Sequence, residues 1–205
     1  RLLSEFMLQQ TQVKTVIPYF KNFVEKIPNL ENLSMSNGKK ILKLWEGLGY
    51  YRRVKNLHMT AKIIIKKYNG TLPKELDEIK KLPGVGEYTA NALLALVYNK
   101  AYIPFDGNVK RIFLRLFKIK IEKNEEKIKK IINENFVTKR NGDLAEALME
   151  FGALVCKPIN PLCIKCSLKN NCHFFKNNDL LLVNNKKLEK KKKYNIYCYL
   201  KKEKK

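Results

Sequence analysis

No stretch of the 205-residue chain approaches the uninterrupted apolar length of a membrane span, and no secretory leader pattern opens it. These absences argue against a membrane or exported protein. The expectation is a soluble intracellular one, nuclear if eukaryotic and cytoplasmic if bacterial. Strand-type alternation of useful length is missing before Leu180, and no segment repeats at a fixed period, which sets aside sheet-based and solenoid architectures. Acidic residues are scarce: 19 Asp and Glu face 42 Lys and Arg, for a formal net charge of +23. Solubility needs nothing like that excess, so a polyanionic partner is expected, although the terminal run from Lys186 to Lys205 carries part of it as a tail. Cysteine is sparse outside one cluster, with four of the five between Cys156 and Cys172. Such clustering points away from an extracellular disulfide scaffold and toward a metal site in a reducing compartment. At 45% hydrophobic residues the chain can bury a real core, which excludes a disordered class for most of it.

What is present reads as helix. Leu3, Phe6, Met7, Val13, Val16, Ile17, Phe20, Phe23 and Val24 recur at helical spacing, with Thr11 as a candidate cap and Pro18 as a kink or boundary. Two further helices flank Gly47-Leu48-Gly49, and Asn69-Gly70 is a left-handed stop. Their join carries Tyr50, Tyr51, Arg52 and Arg53, then Lys55. Aromatics interleaved with cations suit either a nucleic-acid surface or core tyrosines beside solvated arginines. His58 is a plain helix-face residue. Helical patterns resume as ELDEIKKL, VKRIFLRLF, EEKIKKIINENF and GDLAEALMEFGALVC.

The richest stretch runs from Leu82 to Arg111. Gly84 and Gly86 form a tight turn feeding a small-residue apolar helix, whose unpaired first amides make an anion site. A plain interhelical turn is the alternative. Glu5, by itself, reads as an exposed helix carboxylate. Downstream, Cys156, Cys163, Cys166 and Cys172 form C-x6-C-x2-C-x5-C. Only one Cys-x2-Cys pair exists and every gap is short, which favours a four-iron, four-sulfur cluster, with zinc as the alternative.

Taken in order, SEFMLQQTQV, LWEGLGYYRRVKNLH, LPGVGEYTANALL, FDGNVKR and the cysteine loop resemble the adenine DNA glycosylases of the MutY type, within the helix-hairpin-helix glycosylases. The resemblance covers Arg1 to about Phe175. It implies an all-α fold of two helical lobes with the active site in the cleft between them. Its expected divisions are 1–100, a lobe containing the helix-hairpin-helix at 82–98; 101–175, a lobe bearing the cluster loop; and 176–205, a basic linker and the start of a missing C-terminal domain. It implies that Leu82, Gly84, Val85 and Gly86 bind the phosphate backbone, and that Asp106 faces the anomeric carbon of the target nucleotide, where positive charge develops. Glu5 becomes the acid that protonates the departing adenine and handles water, its pKa raised by burial. Tyr88 and Asn108 line the adenine and sugar pocket. Gln10 and Tyr50 are wedge residues that fill the gap left by the extruded base. A 4Fe-4S cluster is held by the four cysteines, and double-stranded DNA with adenine mispairs is the partner of a monomeric enzyme.

Tyr88 stands where strand-cutting relatives carry the lysine that forms a Schiff base, so a monofunctional glycosylase is expected. Three departures qualify the likeness. Glu87 brings negative charge to the phosphate site, the family's segment before the first helix is absent, and the family's C-terminal domain that recognises 8-oxoguanine is absent from this chain. Two rivals remain: an endonuclease III-like enzyme acting on oxidised pyrimidines, and a non-catalytic helix-hairpin-helix DNA-binding module.

Overall fold

The computed structural model describes residues 1–117, 128, 129, 132, 134 and 137–177. Among these residues there is no strand. Helices α1 Leu2–Leu8, α2 Val13–Lys26, α3 Leu30–Met35, α4 Gly38–Leu44, α5 Arg52–Tyr68, α6 Leu76–Lys80 and α7 Glu87–Tyr98 come first. They are followed by α8 Gly107–Phe117, α9 Asn141–Leu154 and the short α10 His173–Lys176. EEKIKKIINENF lies largely outside the described residues, and the tail with Cys198 lies wholly outside them.

Two apolar cores organise these helices. The first gathers Phe6, Met7, Phe23, Trp45, Leu57, Ile64, Ile79 and Leu93 from α1 to α7. Its logic is visible on α5, where Val54, Leu57, Ala61 and Ile64 recur every three to four residues and are all fully buried. Each large side chain of that stripe contributes about 2 kcal/mol of burial. Trp45 packs edge-on against Phe23 with ring centroids 6.3 Å apart, and its indole donates to the Gly49 carbonyl at 3.0 Å. The second core gathers Ile103, Val109, Ile112, Phe113, Ile128, Ile132 and Leu148. Helix α9 joins the two, packing on both α7 and α8.

Local ends follow side-chain chemistry. Asn29 and Asn37 cap α3 and α4 by accepting from the amides of Asn32 and Lys39. Asn69 closes α5 in the left-handed conformation, as expected. At α2 the sequence reading is corrected: Gln12, not Thr11, occupies the cap position, and the Thr11 hydroxyl turns back to the Gln9 carbonyl. Pro18 lies inside α2 and does not end it.

Candidate active site

A cleft of about 850 Å³ opens between the two cores. Glu5 comes to it from α1, Gln10 from the following turn, Tyr50 from the loop before α5, Tyr88 from α7 and Asp106 from the approach to α8. Phe105 and Asn56 also line it. Residues a hundred positions apart thus meet because α1, α5 and α7 share one core while Asp106 enters from the other.

Glu5 is only 7% exposed. Burial raises its carboxyl above the ordinary glutamate value of 4.5, partly offset by the positive Arg1 side chain. Because the folded pKa is the higher one, the carboxyl stabilises the fold fully below the ordinary glutamate range, and that stability is lost as pH rises through the elevated value. Glu5→Gln is therefore expected to melt above wild type at neutral pH, with the difference shrinking on acidification. Paired thermal melts across pH 4 to 8 check this, and a wild type that stays more stable at neutral pH contradicts it.

Asp106 sits at the cap of α8. One carboxylate oxygen accepts from the Val109 amide at 2.7 Å, and the other from the Asn108 side-chain amide at 3.0 Å. Asn108 does not line the cleft itself; it fixes the carboxylate that does. Tyr88 stands near both acids. Burial first, and then the negative charges of Glu5 and Asp106, push its phenol above the usual tyrosine range. Its hydroxyl donates to the Met149 thioether at 3.3 Å, which ties α7 to α9.

Arg111 was not singled out in the sequence. Its Nη2 donates to Asn108 Oδ1 at 2.8 Å and to the Gly152 carbonyl at 2.6 Å, and its Nε donates to the Cys156 carbonyl at 2.7 Å. One side chain thereby joins the Asp106 cap, the end of α9 and the start of the cysteine loop. The signal is faint because two of these acceptors are backbone carbonyls more than 40 residues away.

At the hairpin, Gly84 adopts a left-handed φ of +78°, and a Cβ there would lie 2.8 Å from Asn56 and 2.9 Å from Phe6. Glycine is thus required by both conformation and space. Gly84 and Gly86 are exposed, and Gly86 starts α7 with no side-chain cap on its first amides. Leu82 and Val85 differ from the reading that grouped them with these glycines. Their side chains are buried in the first core, and their amides already donate to Ile79 and Leu82. Gln9, which sequence reasoning missed, donates to the Gly84 carbonyl at 3.1 Å and to the Thr89 hydroxyl at 3.5 Å. Glu87 is not a bare charge beside this turn: it pairs with Lys129 at 3.0 Å.

Tyr50 is 62% exposed at the edge of the cleft. Arg53 corrects the view of it as a surface cation. It is 7% exposed and engaged with backbone carbonyls.

The four cysteines line one cavity with Arg115, Lys169 and Phe174, and no carboxylate or imidazole borders it. Arg115 donates to Cys156 Sγ at 3.4 Å, and Cys172 Sγ donates to the Arg115 carbonyl at 3.6 Å. Burial, then the neighbouring thiols, pushes the Cys163 thiol up. Among the described residues no three Cys, His, Asp or Glu side chains gather closely enough for a single metal ion. The donor set around this cavity is all thiol, which is the chemistry of a metal group held by four thiolates.

A glycine hairpin beside a cleft lined by two carboxylates, between two helical cores, is the arrangement of a helix-hairpin-helix fold. The chain belongs to the HhH-GPD superfamily base excision DNA repair proteins, whose pattern matches residues 3–137. It is 44% identical over 190 residues to the adenine DNA glycosylase of Buchnera aphidicola subsp. Baizongia pistaciae, covering 92% of this chain and 54% of that one. It is 35% identical over 175 residues to the adenine DNA glycosylase of Homo sapiens, covering 83% and 32%. The chain spans about half the length of the first of these relatives and less of the second. Among solved structures, a thermostable thymine-DNA glycosylase superposes with a TM-score of 0.77 at 26% identity, covering 86% of this chain and 83% of that one. No helix among the described residues is long and apolar enough to cross a membrane.

Proposed function

We propose that this chain is the catalytic portion of an adenine-specific DNA N-glycosylase of base excision repair, acting on adenine mispaired with 8-oxoguanine or guanine. The observation that carries the reading is the meeting of Glu5 and Asp106 in one cleft, with Tyr88 between the lobes in place of a lysine. Kinship with curated adenine DNA glycosylases supports the choice of base. In the reaction, the buried Glu5 carboxyl gives its proton to a ring nitrogen of the extruded adenine. The bond from C1′ to N9 then breaks, and its electron pair leaves with the base. Positive charge develops on the sugar beside the Asp106 carboxylate, which Asn108 and the Val109 amide hold in place. Water adds to C1′ and returns a proton to Glu5, completing the hydrolysis.

The exposed main chain at Gly84 and Gly86 supports a backbone-phosphate contact, with Leu82 and Val85 supplying packing beneath it. Gln10 and Tyr50, at the rim of the cleft, are the proposed wedges. Cys156, Cys163, Cys166 and Cys172 would hold the 4Fe-4S cluster, which when bound would shape the loop that carries Lys157, Lys165 and Lys169. We read residues 1–100 and 101–175 as the two lobes, with one core each. Strand scission tests the monofunctional part. With an adenine:8-oxoguanine duplex, cutting is expected only after added alkali, and borohydride is expected to trap no covalent adduct. Cutting without alkali, or a trapped adduct, favours the endonuclease III-like rival instead.

A further inference from the structure

Arg53 is the second residue of α5, and its guanidinium serves two segments at once. Nη1 donates to the carbonyls of Phe6 at 3.3 Å, Met7 at 2.7 Å and Gln9 at 2.5 Å, which belong to the last turn of α1 and the residue after it. Nη2 donates to Leu48 at 3.4 Å and Gly49 at 3.3 Å, in the loop before α5. The same group lies 5.4 Å from the Trp45 ring centroid and 5.3 Å from that of Tyr50. Its Nε is buried without a partner, so the side chain is placed for its two Nη atoms.

Directly after each set of carbonyls comes a residue in the left-handed region: Gln10 with φ 56° and Tyr50 with φ 48°. Neither residue type favours that conformation, so something outside the residue must hold it. Arg53 is the group that touches both backbones, and a flat fork with donors on two sides is suited to bridge them. A lysine at the same place presents all its donors from one point and reaches one loop. Arg53 borders the cleft, yet both Nη atoms are engaged, which leaves them no donor aimed at a phosphate.

We propose that Arg53 is the positioning residue for base extrusion: it fixes the backbones of Gln10 and Tyr50 so that both enter the duplex together. This rests on the wedge reading of those two residues, and the test separates the two claims. A duplex with 2-aminopurine in place of the target adenine, opposite 8-oxoguanine, reports unstacking by its fluorescence. Wild type, R53K, a Q10A/Y50A double variant and the triple variant are compared for that signal, for the salt dependence of duplex binding and for melting temperature.

R53K is expected to fold and to bind duplex with the wild-type salt slope, while its fluorescence rise and adenine release both fall about tenfold or more. The triple variant is expected to be no worse than the double variant. An undiminished fluorescence rise in R53K overturns the proposal. So does a salt slope reduced by about one in the charge-removing variant Arg53→Met measured alongside, which would make Arg53 a phosphate contact. Failure of R53K to fold overturns it as well, by making the residue a general structural staple. If instead the double variant keeps the wild-type signal, the wedge reading falls, and Arg53 with it.

Discussion

Asp106→Asn is expected to lower single-turnover adenine release about a thousandfold or more, while leaving the fold and duplex binding intact. The substitution is informative because asparagine caps a helix about as well as aspartate. The Val109 amide keeps an acceptor, so α8 begins in the same place. Two things disappear: the full negative charge beside the sugar, which the proposed chemistry needs and the fold does not, and the acceptor for the Asn108 side-chain amide. Melting temperature, duplex affinity and release rate measured on the same preparation separate these effects. If release persists near the wild-type rate, Asp106 is a cap and nothing more. If melting collapses, the cap has been misjudged.

Gly152→Ala has the second largest expected effect, and it acts at a distance. A methyl group on Gly152 would sit 2.6 Å from Asn108 Cβ, 3.1 Å from its Cα and 3.2 Å from its carbonyl carbon. Two of those three atoms are backbone, so the start of α8 has to move rather than a side chain turning aside. Overpacking of this kind costs about 1–3 kcal/mol of stability. The larger consequence is catalytic. Asn108 holds one Asp106 oxygen, and Arg111 locks Asn108 against the Gly152 carbonyl itself. A displacement of about 1 Å at such a group lowers rate about a hundredfold. The variant should therefore lose far more activity than stability, read from release kinetics beside a denaturant melt. Equal modest losses in both would mean that the Asn108 contact does not orient the carboxylate.

Much of the site was legible in the residues because its parts are side chains acting as themselves. Glu5, Tyr88 and Asp106 lie in separate motifs whose order implied a shared cleft, and they line or border one. The four cysteines were legible from spacing for the same reason. The unread parts act through the main chain. Arg53 and Arg111 look like surface cations on helices, and nothing local shows that their partners are carbonyls released where other helices end. Leu82 and Val85 share a motif with the exposed glycines, but the tight turn buries their side chains while leaving Gly84 and Gly86 open. Glu87 looked like an unbalanced charge because Lys129, its partner, comes from the other core, 42 residues on. Helix-end chemistry misled at Thr11, whose hydroxyl found the Gln9 carbonyl before any amide of α2.

We propose that Glu5 and Asp106, which line one cleft, together hydrolyse the N-glycosidic bond of an extruded adenine. The most direct test is chromatographic detection of free adenine from an adenine:8-oxoguanine duplex incubated with the chain. The expected result is free adenine and an alkali-labile site in equal amounts with wild type, and neither above background with Asp106→Asn. Stable duplex binding by wild type with no adenine released would rule out this hydrolysis and leave a DNA-binding module in its place.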